Sequence, residues 1–238
     1  MPNTGSTGPA TIAGTISQGD AEIVSAMVLT QMAYPGAPIY HSLMPGMTHP
    51  RTGAYYGHDS HVYAIGVELA HMWGVPTLAG SFGSGSHWLG WETGMGGGKT
   101  SFLCALCGAE TGSGMGLIRG SSLLYPEALV LDRELYNSVR NDAAELNTSP
   151  DYMALDVIQA VGPRGHFLRE KHTRSHFRKL EFSEVLRIPD ENGGYRDPFD
   201  VAREKTDWIL ENHHPEPLSE NQQNELTRIV KAAERELS

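Results

Sequence analysis

SFGSGSHWLGWETG, residues Ser81 to Gly94, is the stretch on which the reading of this chain turns. It follows a short apolar run, Val75 to Ala79, that reads as a buried strand. It precedes Gly94 to Cys107, which can run as a helix. The loop therefore sits where a strand hands over to a helix, with Phe82, His87, Trp88 and Trp91 set among Gly83, Gly85, Gly90 and Gly94. In βα folds that end of a strand is where ligands are held.

Outward from the loop, four strand-then-helix units are expected. Pro9 to Gly14 is a strand candidate, followed by a helix with Asp20 as N-cap and Ile23, Met27, Val28 and Met32 at helical spacing. Pro35-Gly36 ends it. Ala37 to Leu43 is the second strand, and a Gly/Pro-rich loop, residues 45 to 57, carries Arg51, Tyr55 and Tyr56. The next helix spans Ser60 to Met72, with Gly74 at a left-handed terminating position. Gly114 to Ile118 is the fourth strand, Arg119 to Tyr125 its loop, and Pro126 opens a helix to about Ala144. This rhythm is that of a (β/α) repeat with right-handed crossovers.

The expected fold is α/β, with residues 1–147 as half of a TIM-type (β/α) barrel and residues 148–238 as a helical extension packed on it. Four parallel strands leave two unpaired edges. Three arrangements meet that problem: a covered open sheet, two chains completing each other, or a barrel whose N-terminal half lies elsewhere. The last helix, Ser219 to Leu237, carries Leu226, Ile229, Val230 and Ala233 on one side, and is expected to pack across a barrel end or a subunit contact.

Composition narrows the function. Hydrophobic residues make up 39% of the 238 and charged residues 19%, ordinary for a globular protein. A formal net charge of −10 argues against a partner recognised through a phosphate backbone. No segment reaches the ~20 apolar residues of a membrane span and no signal peptide is apparent, so a cytoplasmic protein is expected. Cys104 and Cys107 lie in apolar surroundings with no second pair, and read as small core residues.

Three motifs invite chemistry. Gly94 to Thr100, GMGGGKT, has Thr93 where a phosphate loop needs glycine, and reads as a close approach of helix and sheet. His172 and His176 are four apart and share a helix face, but no carboxylate stands where a metalloprotease motif requires it. They read as hydrogen-bonded structural histidines, and no metal is expected. The aromatic loop fits two readings equally: core or interface anchors, or a cage for a cation.

The stretches at residues 8–40 (GPATIAGTISQGDAEIVSAMVLTQMAYPGAPIY), 51–57 (RTGAYYG), 123–134 (LLYPEALVLDRE) and 153–178 (MALDVIQAVGPRGHFLREKHTRSHFR) resemble, in order, the trimethylamine methyltransferase family. The resemblance covers nearly the whole chain but only the C-terminal half of the family's length. It implies an eight-stranded (β/α) barrel whose members move a methyl group from a methylamine to the cobalt of a partner corrinoid protein. No tightly bound cofactor is implied, only the corrinoid (cobalamin) on the partner, and a homo-oligomer is expected. The archaeal trimethylamine enzymes carry pyrrolysine in the loop matching Ser81 to Gly94, and His87 or a neighbour takes its place here. Resemblance to the members without pyrrolysine implies a quaternary amine such as glycine betaine. On this reading Tyr55, Tyr56, Phe82, Trp88 and Trp91 cage the cation, Arg51 or Arg119 holds a substrate carboxylate, and His87 is the catalytic-site candidate through polar positioning. The competing reading is a half-barrel that binds or assembles without chemistry.

Overall fold

The structure is a computed structural model describing residues 1–57 and 59–237. Its strands are short: β1 (Asn3–Thr4), β2 (Gly46–Thr48), β3 (Tyr55–Gly57), β4 (Leu78–Ala79), β5 (Thr111–Gly112), β6 (Leu117–Ile118) and β7 (Leu123–Leu124). The helices are α1 (Ile12–Ala33), α2 (Ser60–Met72), α3 (Trp91–Leu106), α4 (Pro126–Asp142), α5 (Pro150–Met153), α6 (Leu155–Val161), α7 (Lys171–Phe177), α8 (Pro198–Asn212) and α9 (Glu220–Leu237).

The chain is a mixed α/β protein whose parallel pairings follow chain order. β1 pairs with β2, His41 bridges Thr77, and β4 pairs with β5. The helices that follow these segments pack in the same order, α1 on α2, α2 on α3 and α3 on α4. The described residues form one three-stranded and two two-stranded sheets and no closed barrel. No helix among them is long and apolar enough to cross a membrane.

Helix signals located the middle elements. Asp59 caps α2 by accepting the His61 N–H at 3.0 Å, and Gly74 takes φ +69° just past its end. Pro126 occupies the first turn of α4. Tyr63, Val67, Ala79 and Cys104 form the core between α2, β4 and α3. Burial there pushes the Cys104 thiol up to about 11, so it is an inert packing residue. In the GMGGGKT stretch, a Cβ on Gly97 would lie 3.3 Å from the Phe82 carbonyl oxygen. Glycine there permits the close approach of helix and strand that its position suggested.

The expected boundaries fail at four places. Residues 9–14 are not a strand: Thr11 is extended and α1 begins at Ile12. The buried Thr15 hydroxyl donates to the Pro9 carbonyl at 2.8 Å, satisfying the turn before the helix. Asp20 is consequently within α1 rather than its cap. Its carboxylate accepts from Nε2 of the fully buried His41 at 2.9 Å and from the Trp73 indole N–H at 3.1 Å. The Ala37 to Leu43 strand reduces to the bridge at His41. The fourth parallel strand lies at β5, whereas β6 turns back to pair antiparallel with β7.

The extension packs on α4 through α8. Val185, Val201 and Ala202 are buried there against Val130 and Leu131. Within the chain α9 does not bury its apolar side across a barrel end: Leu226, Ile229 and Val230 are all exposed.

Candidate functional site

The loop after β4 is laddered onto the segment after β5. The Phe82 N–H donates to the Ser113 carbonyl at 3.0 Å and the Ser84 N–H to the Leu117 carbonyl at 3.0 Å. Two bonds return: the Arg119 N–H to Ser86 O at 2.9 Å and the Gly120 N–H to Ser84 O at 3.0 Å. The small serines of SFGSGS are what allow this. Ser81, Ser84 and Ser86 are all buried, and the Ser84 hydroxyl accepts from the Ser86 N–H at 3.0 Å.

Trp88 follows directly. Its carbonyl accepts from the Ser86 hydroxyl at 2.8 Å and from the Thr93 hydroxyl at 2.7 Å. The backbone is held at both sides while the indole stays 74% exposed. Facing it, Arg119, Gly120 and Ser121 form a run of positive φ, at +53°, +61° and +68°. Single left-handed residues are ordinary, but each non-glycine in such a conformation costs ~1–3 kcal/mol. The run sets the Arg119 guanidinium over the Trp88 ring, 5.8 Å from its centroid.

A cleft of ≈ 360 Å³ opens at this point, lined by His87, Trp88, Arg119, Tyr125, Glu127 and Arg203. Phe199 closes its side from α8. It carries two guanidiniums, one carboxylate, an indole face and an imidazole, within the volume range of small-molecule sites. Such a set suits a small ligand with both a carboxylate and a cationic or apolar head. Arginine offers planar bidentate recognition of the first, and the indole an attractive face for the second.

Of the expected site residues, the structure brings together His87, Trp88 and Arg119. Phe82 is corrected to a core residue: it is 4% exposed and packs against Tyr136 with ring centroids 6.4 Å apart. Trp91 opens α3 at 83% exposure and does not line the cleft. Tyr55 seats its ring against the loops from behind, where a Cβ on Gly120 would lie 2.7 Å from it and one on Gly85 3.3 Å. Tyr56 stacks obliquely on His49 at 5.7 Å. Arg51 lies in the exposed turn beside His49, its N–H donating to Nδ1 at 3.2 Å. Sequence reasoning missed Glu127, Arg203 and Phe199. Glu127 sits one residue after the proline that marked α4. The other two lie on α8, and nothing in their spacing announces a site.

A model of the trimethylamine methyltransferase family matches residues 2–238. A trimethylamine methyltransferase of Desulfitobacterium hafniense is 30% identical over 247 residues, which is 99% of this chain and 49% of that protein. A glycine betaine methyltransferase from another strain of that organism is 30% identical over 76% of this chain and 39% of its own length. A Methanosarcina mazei trimethylamine methyltransferase is 27% identical over 99% of this chain and 49% of its own. The chain thus spans about half the length of the curated relatives it matches. With nearly every residue under the family model, this chain belongs to the trimethylamine methyltransferase family.

Proposed function

We propose that the chain acts in methyl transfer from a quaternary or methylated amine, of the glycine betaine type, to the Co(I) of a corrinoid carried by a partner protein. Residues 1–147 are half of a (β/α) barrel and residues 148–238 its helical extension. The in-order parallel pairings support this division. The single observation that carries the functional reading is the Arg119–Trp88 stack beside His87, at the carboxyl end of the paired segments.

The amine lies with its methylated nitrogen against the indole and its carboxylate on Arg119 or Arg203. Glu127 offsets the second guanidinium and keeps the cleft from simply trapping anions. His87 orients the ligand by hydrogen bonding. For a quaternary amine no side chain need act as a general acid, because the electron pair of the broken N–C bond stays on nitrogen and the amine leaves neutral; a tertiary amine such as trimethylamine would have to be protonated first. Positive charge on nitrogen therefore fades toward the transition state. A single indole face serves turnover better than a full cage, since uniform tight binding of the ground state would not raise the rate. At ≈ 360 Å³ the cleft is the size of a small ligand, which supports a methyl acceptor that approaches on its own protein.

The assay is spectral: loss of the Co(I) absorbance of a reduced corrinoid protein on adding glycine betaine or trimethylamine. Turnover with a betaine-type amine is the expected result. Trp88→Ala should lower kcat/KM by ~2- to 5-fold, corresponding to a cation–π contact of about 0.5–1 kcal/mol on an indole that is 74% exposed. Absence of turnover with every methylated amine, alongside an active corrinoid partner, would instead favour the non-catalytic binding or assembly reading.

A further inference from the structure

We propose that Asp151, His172 and His176 bind a divalent transition-metal ion of the zinc(II) class, tying α5 to α7 in the C-terminal extension. One ligand atom from each residue lies within 4.8 Å of the others. The site is separate from the cleft at Trp88.

His176 carries the argument. Its Nδ1 lies 3.1 Å from the His172 carbonyl oxygen. A carbonyl only accepts, so this contact puts a proton on Nδ1 and leaves Nε2 as the ring's ligating nitrogen. That Nε2 is buried and has no hydrogen-bond partner. The atom it faces is another acceptor, Asp151 Oδ2, 3.3 Å away. Nε2 and the carboxylate form a facing pair that either a proton, as in an ion pair, or a metal cation can bridge. A separation of 3.3 Å is long for a charge-assisted hydrogen bond. It equals the spacing of two ligands each ~2.0–2.1 Å from a tetrahedral zinc.

The surroundings are those of a ligand set. The His176 Nδ1–H bond to a carbonyl is the usual way a metal-bound imidazole is fixed in tautomer and orientation. His172 stacks on His176 with centroids 4.1 Å apart, and Tyr152 packs edge-on against it at 5.1 Å. The His172 ring is positioned by the Asp151 carbonyl, 2.8 Å from its Nε2. It turns from that bond, or uses its other nitrogen, to complete the set. Asp151 is 69% exposed at its side chain, so water fills the remaining positions. The two histidines supply an i, i+4 pair, and the missing carboxylate arrives from twenty-one residues before His172.

The test is calorimetric titration of the chelator-treated full chain with zinc chloride, with metal analysis after dialysis. One zinc per chain is expected, with a rise in the thermal midpoint. Asp151→Asn and His176→Gln, each with wild-type circular dichroism, should bind zinc at least ~100-fold more weakly and lose the thermal shift. Replacing His213 and His214 together with Gln should leave affinity unchanged. Cobalt(II) substitution should give a spectrum without thiolate charge-transfer bands, since Cys104 and Cys107 lie elsewhere. The proposal fails if the wild type takes up no stoichiometric zinc, if Asp151→Asn and His176→Gln bind it as the wild type does, or if the cobalt spectrum shows thiolate ligation. If both variants unfold, the titration and the cobalt spectrum of the wild type still decide.

Discussion

Gly114→Ala is expected to destabilise the fold by at least ~2 kcal/mol and to displace the loop that carries Trp88. Gly114 sits at φ +96°, and a Cβ there would lie 2.5 Å from Gly83 N and 3.0 Å from Gly83 Cα. Both atoms are backbone, so no side chain can swing away. The unfavourable φ and the overpacking each cost ~1–3 kcal/mol. The Gly83 segment cannot retreat without breaking the bonds from Phe82 N–H to Ser113 and from Ser84 N–H to Leu117. The reciprocal change is a built-in control. A Cβ on Gly83 would meet its nearest atom, the Gly114 carbonyl oxygen, at 3.7 Å, an ordinary contact. Gly83→Ala should therefore stay within about 1 kcal/mol of the parent in denaturant unfolding. Equal losses from the two substitutions would show that the approach is not as tight as described.

The second large effect is a pH-dependent gain. Asp132, on α4, is 8% exposed and accepts the Gly116 N–H at 2.8 Å. Burial raises its carboxyl from 3.8 to about 6, against the opposing pull of that hydrogen bond. A carboxyl whose folded value lies above its unfolded value favours the fold fully below pH 3.8, and that contribution is lost as pH rises through about 6. At about 1.4 kcal/mol per tenfold, the difference amounts to ~3 kcal/mol at pH 7.5. Asn keeps an oxygen acceptor for Gly116 and never ionises. Asp132→Asn should then be more stable than the parent by ~1–3 kcal/mol at pH 7.5, after a discount for its unpartnered amide hydrogens, and by far less at pH 4. Urea unfolding of both proteins at the two pH values measures this. A gap that does not widen with pH would mean that Asp132 is not a buried charge at neutrality.

These two positions also show where sequence reading stops. α2 and α4 were legible because their ends carry local chemistry, Gly74 for the one and Pro126 for the other. The start of α1 was misplaced because Gly14, Ser17 and Gly19 are weak helix formers that read as a break. What overrides them is tertiary: a Cβ on Gly19 would lie 2.6 Å from Leu43 Cδ1, so the helix needs glycine to sit on that chain segment. The strands were harder still. β4 and β5 pair over two residues each, too short for a period, and the partner of β4 was sought at residues 114–118 instead of 111–112.

The cleft was half legible. The crowd of rings in SFGSGSHWLGWETG marked the loop, but the number of aromatics said nothing of which face a ligand. Burial removed Phe82, exposure without a cleft set Trp91 aside, and the ladder of serine and backbone bonds selected Trp88. Arg119 was a candidate by residue type, and its strained backbone is what aims it. Glu127 and Arg203 enter from α4 and α8, elements that meet only in three dimensions. The metal cluster is the same lesson reversed. The histidine pair was visible in the spacing, while the carboxylate that gives it meaning comes from a separate turn.

One last consequence concerns descent. Asp20 on α1, His41 on the bridging segment and Trp73 after α2 share a single carboxylate. Losing the acid would orphan a buried imidazole and an indole donor at once, so none of the three can drift alone. Across natural variants they should be kept, or exchanged, as a set.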